Sequence, residues 1–251
     1  MAETLGRANS ASRGEDAAHQ RRPRERAPTA VSAARRRRSR CSNLACLAPA
    51  PSTRGSDYTD RLVRLGEARW KRIVGVQAPY RWNVRRLLGD RDVLEVGCGI
   101  GRNLAHLAPR AVGVDHNEAS IEACRERGLT AFTTAEFAAT EYARPGRFGG
   151  LLAAHLVEHM MHAEAIATLA GYLHYLRDDA RAVLICPQER GFASDATHVE
   201  FADFDALADV CRALGMAERR RISFPLPRSA GRVFTHNEFV LVSERQLTGR
   251  P

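Results

Sequence analysis

The chain has 251 residues, 44% of them hydrophobic and 27% charged, enough to bury a core in one large domain or two small ones. Its formal net charge of +9 points towards nucleic acid only until the charge is located. Residues 1–56 hold twelve arginines against four acids, which leaves about +1 for everything after them and excludes a strongly basic folded surface.

The six cysteines (Cys41, Cys46, Cys98, Cys124, Cys186, Cys211) include no C-x-x-C pair and read as reduced thiols. No stretch reaches the ~18 apolar residues of a membrane span. The run after Arg40 is too short and polar for a secretory signal. The expectation is therefore a cytoplasmic protein with no membrane partner.

Residues 1–56, rich in Ala, Arg, Ser and Pro, lack any periodicity and are expected to be a disordered tail. The run Arg35 to Arg38 within it offers nucleic acid a secondary route of attachment. A single domain is expected over 57–251. It opens with two helices over 57–90, one with Leu62, Leu65, Trp70, Ile73 and Val74, the next with Tyr80, Trp82, Val84, Leu87 and Leu88.

The stretch 92–117 follows. Val93, Leu94 and Val96 form an apolar run that Gly97 ends, so a short buried strand is predicted. Glycines fall at Gly97, Gly99 and Gly101 before a helical pattern (Leu104, Ala105, Leu107), and a second strand, 111–114, ends on Asp115. Strand, glycine turn, helix, strand, acid is a nucleotide-binding plan, with the final acid placed for ribose hydroxyls. The turn reads G-x-G-x-G and not the G-x-G-x-x-G of dinucleotide sites. It also carries Glu95 inside the strand. A carboxylate there would repel a pyrophosphate but suits a cofactor bearing a sulfonium and an ammonium.

Glu95-x-Gly97-x-Gly99-x-Gly101 resembles the first motif of the class I S-adenosylmethionine-dependent methyltransferases, and VGVDHN at 112–117 resembles their second. That resemblance implies a Rossmann-like, seven-stranded, mostly parallel α/β sheet with helices on both faces and the last strand antiparallel. It implies S-adenosylmethionine as cofactor, with Glu95, Gly97, Cys98, Gly99, Gly101, Asp115, His116 and His155 lining its site and Glu136 beside the adenine. It also implies that the helices before the first strand cover the cleft, with Tyr80 and Trp82 either lining that lid or packing on the sheet.

Further along, a helix over 118–128 closes at Gly128. Strands are predicted over 129–134, 148–155 and 181–187, with a long amphipathic helix over 163–176. A helix over 203–214 precedes the last two strands, 216–224 and 234–242. Titratable groups crowd the loops after the fourth and fifth strands: His155, Glu158 and His159 in the first, His198 in the second. His155-x-x-Glu158-His159 matches the H-x-x-E-H of inverted zinc peptidases, but that motif needs a helix and here it follows a strand. With His198, it resembles the metal set of small-RNA 2′-O-methyltransferases and of quinone-pathway O-methyltransferases, with His155 standing for a glutamate. A divalent ion held by His155, Glu158, His159 and His198 would lower the pKa of an attacking hydroxyl, and so many imidazoles favour Mn, Fe, Co or Zn. Without a metal, Glu158, His159 and His198 remain the catalytic candidates, with His159 or His198 as general base. The expected acceptor is a hydroxyl of a small molecule or sugar. The alternative is RNA held by the tail. Arg228 and Arg232, near the last strand, are candidates for gripping an anionic acceptor.

Overall fold

A computed structural model describes residues 77–246; the tail over 1–56 and the helix expected near 62–74 lie outside the described residues. The helices are α1 (Gln77–Leu88), α2 (Arg102–Leu107), α3 (Glu118–Glu126), α4 (Thr134–Phe137), α5 (His162–Ala170), α6 (Glu189–Phe192) and α7 (Phe204–Ala213). The strands are β1 (Val93–Val96), β2 (Ala111–Asp115), β3 (Ala131–Thr133), β4 (Phe148–Ala154), β5 (Leu176–Pro187), β6 (Met216–Phe224) and β7 (Glu238–Arg245).

The strands form one sheet in the order β3-β2-β1-β4-β5-β7-β6. Pairing is parallel from β3 through to β5, and β7 runs antiparallel to both its neighbours. This is the Rossmann-like sheet that the glycine turn implied. The order reverses between β1 and β4, so the crevice for a ligand opens at the carboxyl ends of these two strands.

Strands buried on both faces read as apolar runs, and their alternate side chains feed two cores. Val84, Leu87 and Leu88 of α1, Leu104 of α2 and Ile121 of α3 pack with Val183 and Ile185 on one face. Phe137 of α4, Leu169 of α5 and Leu207 and Val210 of α7 pack with Ala182 and Leu184 on the other. Each fully buried leucine contributes about 2 kcal/mol.

Two departures from the sequence-based expectation share a cause. The long helix over 163–176 stops at Ala170, because Tyr172 and Tyr175 turn inward against Phe137, at ring distances of 6.1 and 5.1 Å, and Leu176 already belongs to β5. The last strand begins at Glu238 and not at 234, because Phe234 folds back to donate its N–H to the Ala230 carbonyl (2.8 Å). In both cases apolar periodicity ran on through a turn. The third strand is also shorter than expected, since its last residue, Thr133, caps α4.

Candidate functional site

The glycine turn is fixed by main-chain hydrogen bonds. Gly97 N–H donates to the Val114 carbonyl (2.8 Å), which ties the turn to β2. Asp115 then gathers it: Oδ2 accepts from Gly99 N–H (2.8 Å) and Oδ1 from Asn117 N–H (2.9 Å). The Asp115 carboxylate thus points at the turn, and each oxygen keeps a lone pair for a ribose hydroxyl. Gly99 and Gly101 both have positive φ, 50° and 75°. A Cβ on Gly101 would strike Leu129 Cδ1 at 2.6 Å, whereas one on Gly99 would meet nothing within 4 Å and would project into the open crevice. Gly101 serves packing; Gly99 leaves room for a ligand against bare backbone.

Glu95 is fully buried at the end of β1, with Oε1 accepting from Asn103 Nδ2 (2.9 Å). Its Oε2 has no partner, the one such buried side-chain oxygen among the described residues. Burial pushes its pKa up to about 8, against the hydrogen bond from Asn103. A buried, unpaired carboxylate oxygen beside the turn fits the ammonium of S-adenosylmethionine. Cys98 is buried under the turn, and Cys124 Sγ donates to the Gly99 carbonyl (3.2 Å). His116 lies half exposed beside Asp115, Nδ1 to Oδ1 3.5 Å. Glu136 completes a capping box with Thr133 and pairs with Arg125 at 2.8 Å, so its carboxylate is engaged locally, although it remains exposed near the end of β3.

The other half of the site is made of side chains. His155 follows β4 at φ 57°, the only non-glycine residue with positive φ among the described residues. Such strain persists only where surroundings impose it, and here they do. Nδ1 faces Glu158 Oε1 and Nε2 faces Glu238 Oε1, both at 3.1 Å. Burial works against the charge on His155, yet the two carboxylates raise its pKa to about 10. Glu158 is fully buried, and its second oxygen accepts from Cys186 Sγ (3.2 Å). Burial opposes its ionisation too, but His155 brings its pKa below the ordinary carboxylate value.

His159 and His198 meet edge to face, with ring centres 4.9 Å apart. His159 Nδ1 faces the Thr197 carbonyl (3.1 Å) and His198 Nδ1 the Phe192 carbonyl (2.7 Å). A carbonyl only accepts, so each Nδ1 carries hydrogen, and in the neutral imidazole Nε2 presents its lone pair. Burial lowers the His159 pKa, as does positive charge on His198, against the pull of Glu158. Glu158, His159 and His198 each offer a ligand atom within 4.8 Å of the others. The expected fourth ligand, His155, does not join them, because both its ring nitrogens face carboxylates. Arg228 is likewise taken up: it forms a two-point ion pair with Glu189 and lies 4.6 Å over the Phe239 ring.

Asn103, Thr197 and Glu238 did not stand out in the sequence. Asn103 carries the one usable signal, a polar side chain on the first turn after a glycine bend. Glu238 acts from β7, opposite Pro187, which no local pattern reveals. On α1, Tyr80 OH donates to the His236 carbonyl (2.6 Å) and Trp82 is exposed, so of the two aromatics only Tyr80 ties the helix to the loop before β7. A cavity of about 440 Å³ lies along Ala78, Arg81, Trp82, Arg85 and Arg86, and shares no lining residue with the site.

A model of the methyltransferase domain matches residues 93–179, which run from β1 through the glycine turn, Asp115 and the His155–His159 loop into β5. Residues 93–179 carry a methyltransferase domain. Solved S-adenosylmethionine-dependent methyltransferases share the fold at low identity. A SAM-dependent methyltransferase described as a possible histamine N-methyltransferase, from Thermotoga maritima, aligns with TM-score 0.57 and 15% identity over 76% of this chain and 99% of its own. Magnesium protoporphyrin IX methyltransferase from Synechocystis PCC 6803, with bound SAH, aligns with TM-score 0.52 and 15% identity over 76% and 99%. A SAM-dependent methyltransferase from Archaeoglobus fulgidus gives 0.51 and 19% over 68% and 93%. No curated protein sequence matches the chain. Among the described residues no helix is long and apolar enough to cross a membrane.

Proposed function

We propose that this methyltransferase methylates a hydroxyl group of a small molecule, with His159 as general base. The observation that carries this reading is the His159 imidazole, whose Nδ1 is anchored on the Thr197 carbonyl and whose pKa is lowered by burial. It is a free base at neutral pH, with Nε2 open to a proton. Glu95, the glycine turn and Asp115 hold the methyl donor, which supplies an electrophilic methyl on its sulfonium. The acceptor oxygen forms the new C–O bond, the electrons of the broken C–S bond return to sulfur, and the hydroxyl proton passes to His159 Nε2. His198 packs against His159 and fixes the ring plane. Most of the rate would come from alignment, and proton removal would add about 10²–10⁴-fold. An amine acceptor would need no such base. The test is turnover of His159→Ala with methyl-labelled cofactor across hydroxyl and amine acceptors. Loss confined to hydroxyl acceptors supports the reading, and undiminished hydroxyl methylation overturns it.

A second reading is favoured by the ligand atoms of Glu158, His159 and His198 lying within 4.8 Å of one another. Two imidazoles and a carboxylate suit a Zn-, Fe- or Mn-type ion, which would acidify the acceptor hydroxyl in place of a base. Glu158 already accepts from His155 and Cys186, so such an ion would compete for an engaged carboxylate. Metal analysis of the purified protein, with activity before and after chelation, separates the two. Full activity in excess chelator leaves the base mechanism.

A further inference from the structure

Large apolar side chains left exposed on the described residues are few: Trp82, Met161, Val199, Phe201, Leu226 and Val233. All but Trp82 sit on loops at one edge of the sheet, after β4, after β5, or between β6 and β7. That edge is the carboxyl edge, where the acceptor must lie. Scattered exposed apolar residues need no explanation, but their concentration at a ligand-binding edge does.

Three of them are tied to the histidine pair. Val199, 55% exposed, is the neighbour of His198, and its N–H donates to the Glu158 carbonyl (2.7 Å). Met161, 58% exposed, precedes His162, whose N–H donates to Oε2 of Glu200, the residue after Val199 (2.7 Å). Phe201 continues a ladder of rings. His159 meets His198, His198 stacks on Phe192 at 5.1 Å, Phe192 meets Phe201 at 5.3 Å, and Phe201 meets Phe239 at 5.9 Å. Ring contacts therefore link the exposed Phe201 to the proton-accepting pair, with Val199 next to His198 in the chain.

Resting on the hydroxyl reading above, we propose that the acceptor is a phenol: a compound whose aromatic ring lies against Met161, Val199 and Phe201 and whose hydroxyl meets His159. A sugar would set its polar edges against this apolar rim. An anionic acceptor would find Arg228 already paired with Glu189.

The test uses the full chain saturated with S-adenosylhomocysteine and 2-naphthol as the probe, with methyl α-glucoside for comparison. Binding is read by calorimetry, and turnover by transfer of labelled methyl. The proposal expects 2-naphthol to bind, the glucoside not to, and Val199→Asp to weaken 2-naphthol about tenfold or more while S-adenosylhomocysteine affinity and melting temperature stay unchanged. Equal 2-naphthol affinity in Val199→Asp, or binding of the glucoside alone, overturns it. Transfer of label to 2-naphthylamine but not to 2-naphthol overturns instead the hydroxyl reading on which it rests, with ring binding at the rim intact.

Discussion

The two halves of the proposed site are built from different materials. The cofactor half is backbone: three glycines of positive φ, the N–H groups of Gly99 and Asn117, and the Asp115 carboxylate that gathers them. The acceptor half is side chain: His155 clamped between Glu158 and Glu238, and His159 and His198 turned by carbonyls of the segment after β5. Backbone conformation limits which residues can stand at each position, whereas a side-chain constellation can be assembled from anywhere in the chain. The first half should therefore fail when chain geometry is disturbed, and the second when single functional groups are removed.

The largest expected effect is on the acceptor half. His159→Ala should lower kcat by about 10²–10⁴-fold with S-adenosylhomocysteine affinity unchanged, measured by single-turnover kinetics beside calorimetry. Equal losses of rate and cofactor binding would show that the two halves are not separable.

Gly101→Ala should do the opposite. A Cβ at φ 75° facing Leu129 and Cys124 should cost about 1–3 kcal/mol and weaken cofactor binding, as followed by denaturant unfolding. A variant as stable as the parent would mean that the turn accommodates a side chain.

Glu95 links the cofactor half to pH. Burial raises its pKa to about 8, so in the free protein it is largely protonated at neutral pH. A bound ammonium favours the carboxylate, so binding should release a proton. Affinity should then tighten by up to about tenfold per pH unit from about pH 5 to about pH 7.5. Glu95→Gln should flatten that slope, and calorimetry in buffers of different ionisation enthalpy would detect the proton directly.

The smallest effect belongs to His155. Its pKa rises from 6.5 to about 10, so its contribution to stability is complete below about pH 6.5 and fades as pH climbs towards 10. His155→Asn, a residue that tolerates the same backbone conformation, should lose little at pH 9.5 and more at pH 6.5. Thermal melts at the two pH values would show a pH-independent loss if the clamp carries no charge.

The same division explains how much could be read in advance. The spacing of Glu95, Gly97, Gly99, Gly101 and Asp115 stood in one short stretch, and it led to the sheet, the parallel pairings and the antiparallel last strand. His155, Glu158, His159 and His198 were visible as a crowd of titratable groups, but their grouping was not. The pattern treated the four as one set, whereas Glu238 draws His155 away from it across 83 residues of sequence. The ends of α5 and β7 were misread for a related reason: Tyr172, Tyr175 and Phe234 follow tertiary contacts that periodicity does not carry.

The measurement that bears most directly on this account is calorimetric titration of S-adenosylhomocysteine into the full chain and its Asp115→Ala variant. One site per chain in the parent, with binding weakened at least about a hundredfold in the variant, is the predicted outcome. No heat with the parent, or equal affinity in the two proteins, would contradict a cofactor cradled between the glycine turn and Asp115.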